Sequence, residues 1–194
     1  MSKLFFYDTE TTGLLHYKNA IHQISGLIVI NNRVIEEFNY KIKPHPEAVI
    51  EESALVVGNV TQEQIMEYPE PYIIHNKLLN LLAKYCNKYD KKDKFHLVGY
   101  NSRKFDDEFL RYFFNIRGDK YFGSWFWPDS IDVLVLASNY LQDVRKELIN
   151  FQLRTVAEYL GIEIDENKLH EASYDNYLVK AIYDIVGTNK LQKI

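Results

Sequence analysis

The sequence predicts one α/β domain over residues 1–194, in which a mixed β-sheet carries helices on both sides. The first 43 residues are typical of three strands, the second and third joined by a tight turn. The later chain alternates short apolar strands with amphipathic helices. With 46% apolar residues in 194, the chain is long enough to bury a full core.

The predicted strands are residues 3–8, 22–30 and 34–43, and the pair Asn31-Asn32 between the last two indicates a hairpin. Pro69 and Pro71 precede a helix of about 17 residues. The remaining elements are predicted as a strand at 95–100, a helix containing Asp106, a short strand at 130–133 that leads into a helix ending near 140, and helices at 153–160 and 171–186.

Composition excludes several classes of protein. The formal net charge of −4 argues against a protein that grips duplex nucleic acid through many phosphate contacts, although not against one that holds a short single strand. Cys86 is the only cysteine, so no internal disulfide forms, and a reducing compartment is expected. No secretory signal or membrane-length apolar run is present in the sequence. We therefore expect a cytoplasmic protein without a membrane partner.

The first candidate site follows an apolar run near the N-terminus, where Asp8 and Glu10 are one residue apart. Buried carboxylates are costly unless something cationic meets them. Two carboxylates on a rigid strand suit a divalent metal ion. Taken alone, however, the pair is more typical of a polar strand end that runs into a turn.

Two later segments contain further acidic residues that are candidates for the same site. Asp106 precedes Phe109, Leu110 and Phe113 at helical spacing, so it is expected on the apolar face of its helix, whereas Asp107 and Glu108 fit the solvent face. Asn101 or Ser102 is predicted to cap that helix. Asp175 lies in the first turns of the last helix, and His170 is expected at or just before the start of that helix.

These segments together resemble the DEDDh family of 3′→5′ exonucleases. The resemblance rests on Asp8-x-Glu10, on Asp106 in an Asn-x-x-x-Phe-Asp setting and on His170-x-x-x-x-Asp175, and it covers residues 4–186. It implies a ribonuclease H-like fold with a mixed five-stranded sheet flanked by helices on both sides. The spacing from Gly99-Tyr100-Asn101 to Phe105 is most similar to exonuclease I, which carries further domains that are not expected in this chain.

The resemblance also implies a chemistry. Two divalent cations, Mg²⁺ or Mn²⁺, would be held by Asp8, Glu10, Asp106 and Asp175, and they would perform in-line hydrolysis of a phosphodiester. Asp8 would bridge both ions, Glu10 and Asp175 would bind the ion that activates water, and Asp106 would support the other. His170 would be the general base, since its ordinary pKa near 6.5 suits proton transfer at neutral pH.

The implied substrate is single-stranded nucleic acid, with DNA favoured over RNA. The residues expected to contact it are Thr11, Gly13, Leu14, Asn101 and Phe105, and Leu14 is either a wedge against the terminal base or a residue of the turn. The aromatic segment around Trp125-Phe126-Trp127 either stacks on bases or packs in the core, with the core slightly favoured.

The sequence thus predicts a single-strand DNA 3′→5′ exonuclease that releases nucleoside monophosphates. RNA 3′-end trimming, as in ribonuclease T or oligoribonuclease, is the alternative, because the choice depends on whether a pocket accepts the 2′-hydroxyl. A non-catalytic single-strand-binding module is a remote alternative, since a binder gains little from clustered negative charge. The resemblance suggests a DNA polymerase or a repair protein as a partner.

Overall fold

The predicted mixed sheet forms the centre of the molecule. The computed structural model describes residues 2–165 and 172–187. Its five strands are β1 (Lys3–Thr11), β2 (Ile21–Ile30), β3 (Arg33–Lys41), β4 (His96–Gly99) and β5 (Ile131–Asp132). They lie side by side in the order β3-β2-β1-β4-β5, so the N-terminal strand is central. β1 pairs antiparallel with β2 and parallel with β4, which makes the sheet mixed as expected.

The predicted hairpin is present between β2 and β3. Asn31 and Asn32 have positive φ angles of 50° and 66°. Asparagine tolerates this left-handed region better than most residues, and two such residues form the tight turn whose twist suits adjoining strands.

Eight α-helices are defined in the described part of the chain. They are α1 (Glu52–Val57), α2 (Gln62–Met66), α3 (Pro71–Tyr85), α4 (Asp106–Ile116), α5 (Phe122–Trp125), α6 (Val133–Tyr140), α7 (Leu153–Tyr159) and α8 (Ala172–Val186), with a 3-10 helix at Gln142–Glu147. The sequence prediction missed α1, α2 and the 3-10 helix. The short helix α5, which forms within the aromatic segment, was not predicted either. None of the helices in the described ranges is long and apolar enough to span a membrane.

Each face of the sheet packs against its own core. Phe5 and Tyr7 on β1 point to a face rich in aromatic residues, where α3 and α4 contribute Leu78, Phe109 and Phe114. Leu4 and Phe6 point to the opposite face, which is mainly aliphatic and is covered by α6, α7 and α8. The alternation follows from the two-residue period of a strand. β1 is therefore buried on both sides, and residues near its C-terminal end can meet helices from both faces.

Candidate active site

Asp8 and Glu10 lie within β1, because this strand continues to Thr11 and does not end at Asp8 as predicted. Their Cα atoms pair with those of Ser25 and Gln23 on β2. Being two residues apart, the two side chains point to the same face of the sheet, the face that α8 covers. The strand backbone fixes both carboxylates.

Asp106 reaches β1 from the opposite face. Its carboxylate oxygen Oδ1 accepts a hydrogen bond from the Thr9 hydroxyl at 2.5 Å and another from the Thr9 backbone N–H at 3.1 Å. Thr9 lies between Asp8 and Glu10, so this contact ties α4 to the acidic part of the strand. Asp106 is 6% exposed, and the prediction that it faces the core is correct.

The start of α4 differs from the prediction. The helix begins at Asp106 with Phe105 in the N-cap position, and no side chain caps it, so neither Asn101 nor Ser102 is the cap. The Ser102 carbonyl instead accepts the backbone N–H groups of Phe105 and Asp107 in a turn before the helix.

Asp107 was predicted on the solvent face, and this is wrong. Its side chain is 7% exposed, and its carboxylate accepts a 2.5 Å hydrogen bond from the Tyr7 hydroxyl. Helical spacing could not predict this burial, because the partner comes from a strand 100 residues earlier in the chain. Burial and the charge of Asp107 raise the pKa of Tyr7, so the hydroxyl remains a hydrogen-bond donor. Glu108 is exposed, as expected.

α8 approaches the acidic strand end through Asn176. This side chain is 1% exposed, and its amide nitrogen donates a 3.0 Å hydrogen bond to the hydroxyl of Ser25. Ser25 is the cross-strand neighbour of Asp8. The contact places the adjoining residue Asp175 near β1. His170 lies outside the described residues, and its role stays a prediction.

The charges of the other three predicted acids act on Asp8. Burial raises the pKa of Asp8 well above its ordinary value, and the negative charges of Asp106, Glu10 and Asp175 raise it further. Burial also raises the pKa of Asp106 to about 6, although its hydrogen bonds from Thr9 act in the opposite direction. Asp8 is therefore the carboxylate whose pKa the other three all raise.

This donor set fits hard divalent cations, because Mg²⁺ and Mn²⁺ prefer oxygen ligands. Within residues 2–165 and 172–187, no three acidic, histidine or cysteine side chains are close enough to hold an ion as they stand. The charges of Asp106, Glu10 and Asp175, which add to the effect of burial on the pKa of Asp8, are the repulsion that such a cation would relieve.

The loop after β1 presents three of the predicted substrate-binding residues. The Thr11 hydroxyl donates to the Gly13 carbonyl at 2.7 Å, which tightens the turn. A Cβ atom on Gly13 would lie within 2.5 Å of the side chains of Asn19 and Glu51, so a larger residue would require those side chains to move. Leu14 beyond it is 73% exposed, as a residue that contacts a ligand requires.

Asn101 and Phe105 lie between β4 and α4. Asn101 has a positive φ of 59°, and its backbone N–H donates to a carboxylate oxygen of Asp132 at 2.9 Å. Its side chain is exposed. Phe105 is half-buried and packs on Phe109 at a ring-centroid distance of 4.9 Å. Their contact with substrate stays a prediction.

The aromatic segment belongs mainly to the core. Phe122, Trp125 and Phe126 are 7%, 4% and 2% exposed and form part of the aromatic cluster under α4. Only Tyr121, at 66%, is strongly exposed there. Packing is thus the correct interpretation for the three buried rings.

Sequence reasoning missed two residues that position the acids, Thr9 and Asn176. Both are polar and buried, and both contact partners 97 or more residues away. The sequence carried one signal for Thr9, its place between two acids on a strand, where its side chain must point to the other face. Asn176 follows a predicted ligand and gave no comparable signal.

Known proteins match nearly the whole chain. A family model described as RNase_T, exonuclease, matches residues 5–183. The chain is 26% identical over 181 residues to the PolC-type DNA polymerase III of Mycoplasma pneumoniae and 26% identical over 180 residues to that of Mycoplasmopsis pulmonis. It covers 11% of each of these polymerases, so it spans about a tenth of their length.

Among solved structures, the chain is similar to E. coli exonuclease I bound to a dT13 oligonucleotide. The TM-score is 0.75 at 22% identity, over 97% of this chain and 41% of that one. The apo form of exonuclease I gives a TM-score of 0.75 at 21% identity, over 98% of this chain and 43% of that one. The likeness confirms the predicted ribonuclease H-like α/β fold.

Proposed function

Because the chain belongs to the RNase_T family of exonucleases, we propose that it is a metal-dependent 3′→5′ exonuclease that hydrolyses single-stranded DNA to nucleoside monophosphates. The observation that carries the proposal is the electrostatic coupling of Asp8 to Glu10, Asp106 and Asp175. A cluster of this kind destabilises a protein unless it has a cationic ligand to hold.

The four carboxylates would hold two divalent cations, with Asp8 shared between them, Glu10 and Asp175 on one and Asp106 on the other. When bound, such a pair lowers the pKa of the attacking water and stabilises the leaving oxygen. The hydrogen bonds from Thr9 favour the ionised form of Asp106 and so oppose the effect of burial. His170 would accept the proton of the attacking water.

Leu14 would contact the base at the 3′ end. Its side chain projects from a turn that is closed by the Thr11 hydroxyl and by close packing of Gly13. An exposed apolar side chain on a rigid turn beside the acids suits contact with a base. Asn101, exposed at the end of β4, would contact the strand from the other side.

DNA is favoured because exonuclease I, a structural neighbour, has been solved with DNA oligonucleotides, and PolC relatives are DNA polymerases. RNA trimming is the alternative. Contact between the protein and the 2′-hydroxyl of RNA would decide between the two substrates.

A digestion panel tests this function. Oligonucleotides of single-stranded DNA, duplex DNA and RNA, labelled at either end, are incubated with Mg²⁺, with Mn²⁺ or with excess chelator. We expect mononucleotides from the 3′ end, fastest from single-stranded DNA, and no product in chelator. Activity that survives exhaustive chelation would contradict the metal-dependent mechanism, and an RNA rate well above the DNA rate would favour the trimming alternative.

A further inference from the structure

A cleft of about 500 Å³ opens beside the candidate site. It is lined on one side by Glu10 and Asp175, and it extends away from them across the sheet to β3. A cavity of this size is within the range that holds a small organic ligand such as a nucleotide. Lys41 is the only lysine or arginine among the described residues that line it.

Strand register places Lys41 in line with the acids. Glu10 on β1 is opposite Gln23 on β2, and Gln23 is opposite Lys41 on β3. Residues opposite each other in adjacent strands share a face, and strands are about 4.8 Å apart. The row Glu10–Gln23–Lys41 therefore runs from a carboxylate to an ammonium group over roughly 10 Å of one sheet face.

The side chains along this row suit an anion. The Gln23 amide nitrogen donates to the Asn39 amide oxygen at 2.9 Å, which leaves the N–H groups of Asn39 available to an acceptor in the cleft. The Lys41 ammonium lies 5.1 Å over the Tyr68 ring. A ring contact of this kind positions the ammonium without occupying its N–H donors as a carboxylate would.

The opposite wall carries two apolar side chains. It is formed by the turn after α1, where Val57 is 84% exposed and Val60 also faces the cleft. Asn59, between them, has a positive φ of 50°. One wall thus offers a cation and amide donors, and the other offers a surface for a sugar or a base.

We propose that this cleft binds a phosphate group next to the reacting one, with Lys41 as its cation and with Gln23 and Asn39 as its polar neighbours. The inference rests on the proposed nuclease function and adds a second anion site to it. The phosphate is either that of the neighbouring internucleotide link or a 3′-terminal phosphate. Cations held by the carboxylates would neutralise the acidic end of the cleft, and Lys41 lies at the other end.

The test measures binding of a 5′-fluorescein-labelled oligothymidylate, with Ca²⁺ as the only divalent cation, at salt concentrations between 50 and 200 mM. One phosphate contact on a single strand contributes about 0.7 to the slope of log Kd against log salt. We expect Lys41→Gln to lower the slope by about that amount and to raise Kd roughly three- to tenfold at low salt. Lys41→Arg should keep the native slope.

Lys77→Gln is the matched control. Lys77 lies on α3, and its ammonium is 5.9 Å from the ring of Tyr40, which alternates with Lys41 on β3 and points to the other face. The substitution removes the same charge away from the cleft, and its slope should remain native. Equal slopes for Lys41→Gln and Lys77→Gln would overturn the proposal.

Two substrates distinguish the sources of the phosphate. If Lys41 contacts a terminal phosphate, oligonucleotides with a 3′-phosphate should bind the native protein more tightly than those with a 3′-hydroxyl, and Lys41→Gln should abolish the difference. If Lys41 contacts an internal phosphate, the variant should weaken both equally. If the native protein digests DNA and Lys41→Gln binds the oligonucleotide with native affinity, this inference alone is overturned. A native protein that neither binds nor digests nucleic acid overturns the proposed function and this inference with it.

Discussion

Asp106 and Asp175 both raise the pKa of Asp8, and the structure positions these two acids differently, from opposite faces of the sheet. Asp106 itself accepts two hydrogen bonds from Thr9. α8, which carries Asp175, is joined to β2 through the neighbouring Asn176, which bonds to Ser25. On the α4 side the contact acts directly on the charge of the acid. On the α8 side it acts on the position of the helix.

This difference has energetic consequences. A hydrogen bond to a carboxylate stabilises its ionised form and so changes its pKa. A buried hydrogen bond between two neutral groups stabilises the fold without changing any nearby pKa directly. Loss of the α4 contact should therefore alter the pH dependence of activity, whereas loss of the α8 contact should alter the stability of the protein.

Substitution of Asp8, where the two sides meet, should have the largest effect. Asp8→Asn should lower turnover by about 10³-fold or more, beyond the usual loss for a single electrostatic contact. In chelator its Tm should equal or exceed that of the native protein, because one member of a repelling cluster becomes neutral. Thermal unfolding with and without Mg²⁺ checks this, and the metal-induced rise in Tm should be smaller in the variant. Equal rises in both proteins would contradict metal binding by Asp8.

His170 precedes α8 in the sequence, and its substitution tests the proposed general base. His170→Ala should reduce turnover roughly 10²- to 10⁴-fold, the usual contribution of a positioned general base. Metal affinity should change little, because the proposed role is proton transfer. The pH profile of the rate is measured between pH 5 and 9. In the variant this profile should no longer show a group that titrates near neutrality. Near-native turnover with an unchanged acidic limb would leave His170 without a catalytic role.

The sequence predicted the strands and the longer helices because their apolar residues recur with a clear period. It missed α1 and α2, in which only Leu55 and Ile65 are buried, because short helices with one buried residue leave no periodic pattern. The four acids were predicted from the resemblance. The contacts that position them were not, since Thr9, Tyr7 and Asn176 bond to residues about 100 or more positions away.

Thr9→Val tests the direct contact on the α4 side. Valine has the shape of threonine but lacks the hydroxyl, so Asp106 keeps only the backbone donor at 3.1 Å. Its pKa, already raised to about 6, should rise further, by about one unit for one hydrogen bond to a charged group. Less of the carboxylate is then ionised below neutrality. The acidic limb of the rate profile should move to higher pH by about one unit, and more Mg²⁺ should be needed at pH 6.5.

Thr9→Ser is the control for this change, because serine keeps the hydroxyl and removes only a methyl group. Its rate profile should coincide with that of the native protein. A profile for Thr9→Val that also coincides with the native one would show that the hydroxyl does not influence Asp106.

Asn176→Ala tests the α8 side and should have the smallest effect on chemistry. The variant loses a 3.0 Å buried hydrogen bond to Ser25, and the cost of a buried polar group left without its partner is about 1 to 3 kcal/mol. Urea denaturation of the metal-free protein measures this loss. Because the lost bond joins two neutral side chains and no carboxylate, the pH dependence of the rate should stay native. Ser25→Ala should cost a similar amount, and the double variant should cost less than the sum of the two, since both remove the same bond. Strict additivity, or a shifted acidic limb in Asn176→Ala, would show that α8 is positioned by other contacts and that the two sides of the site do not differ in this way.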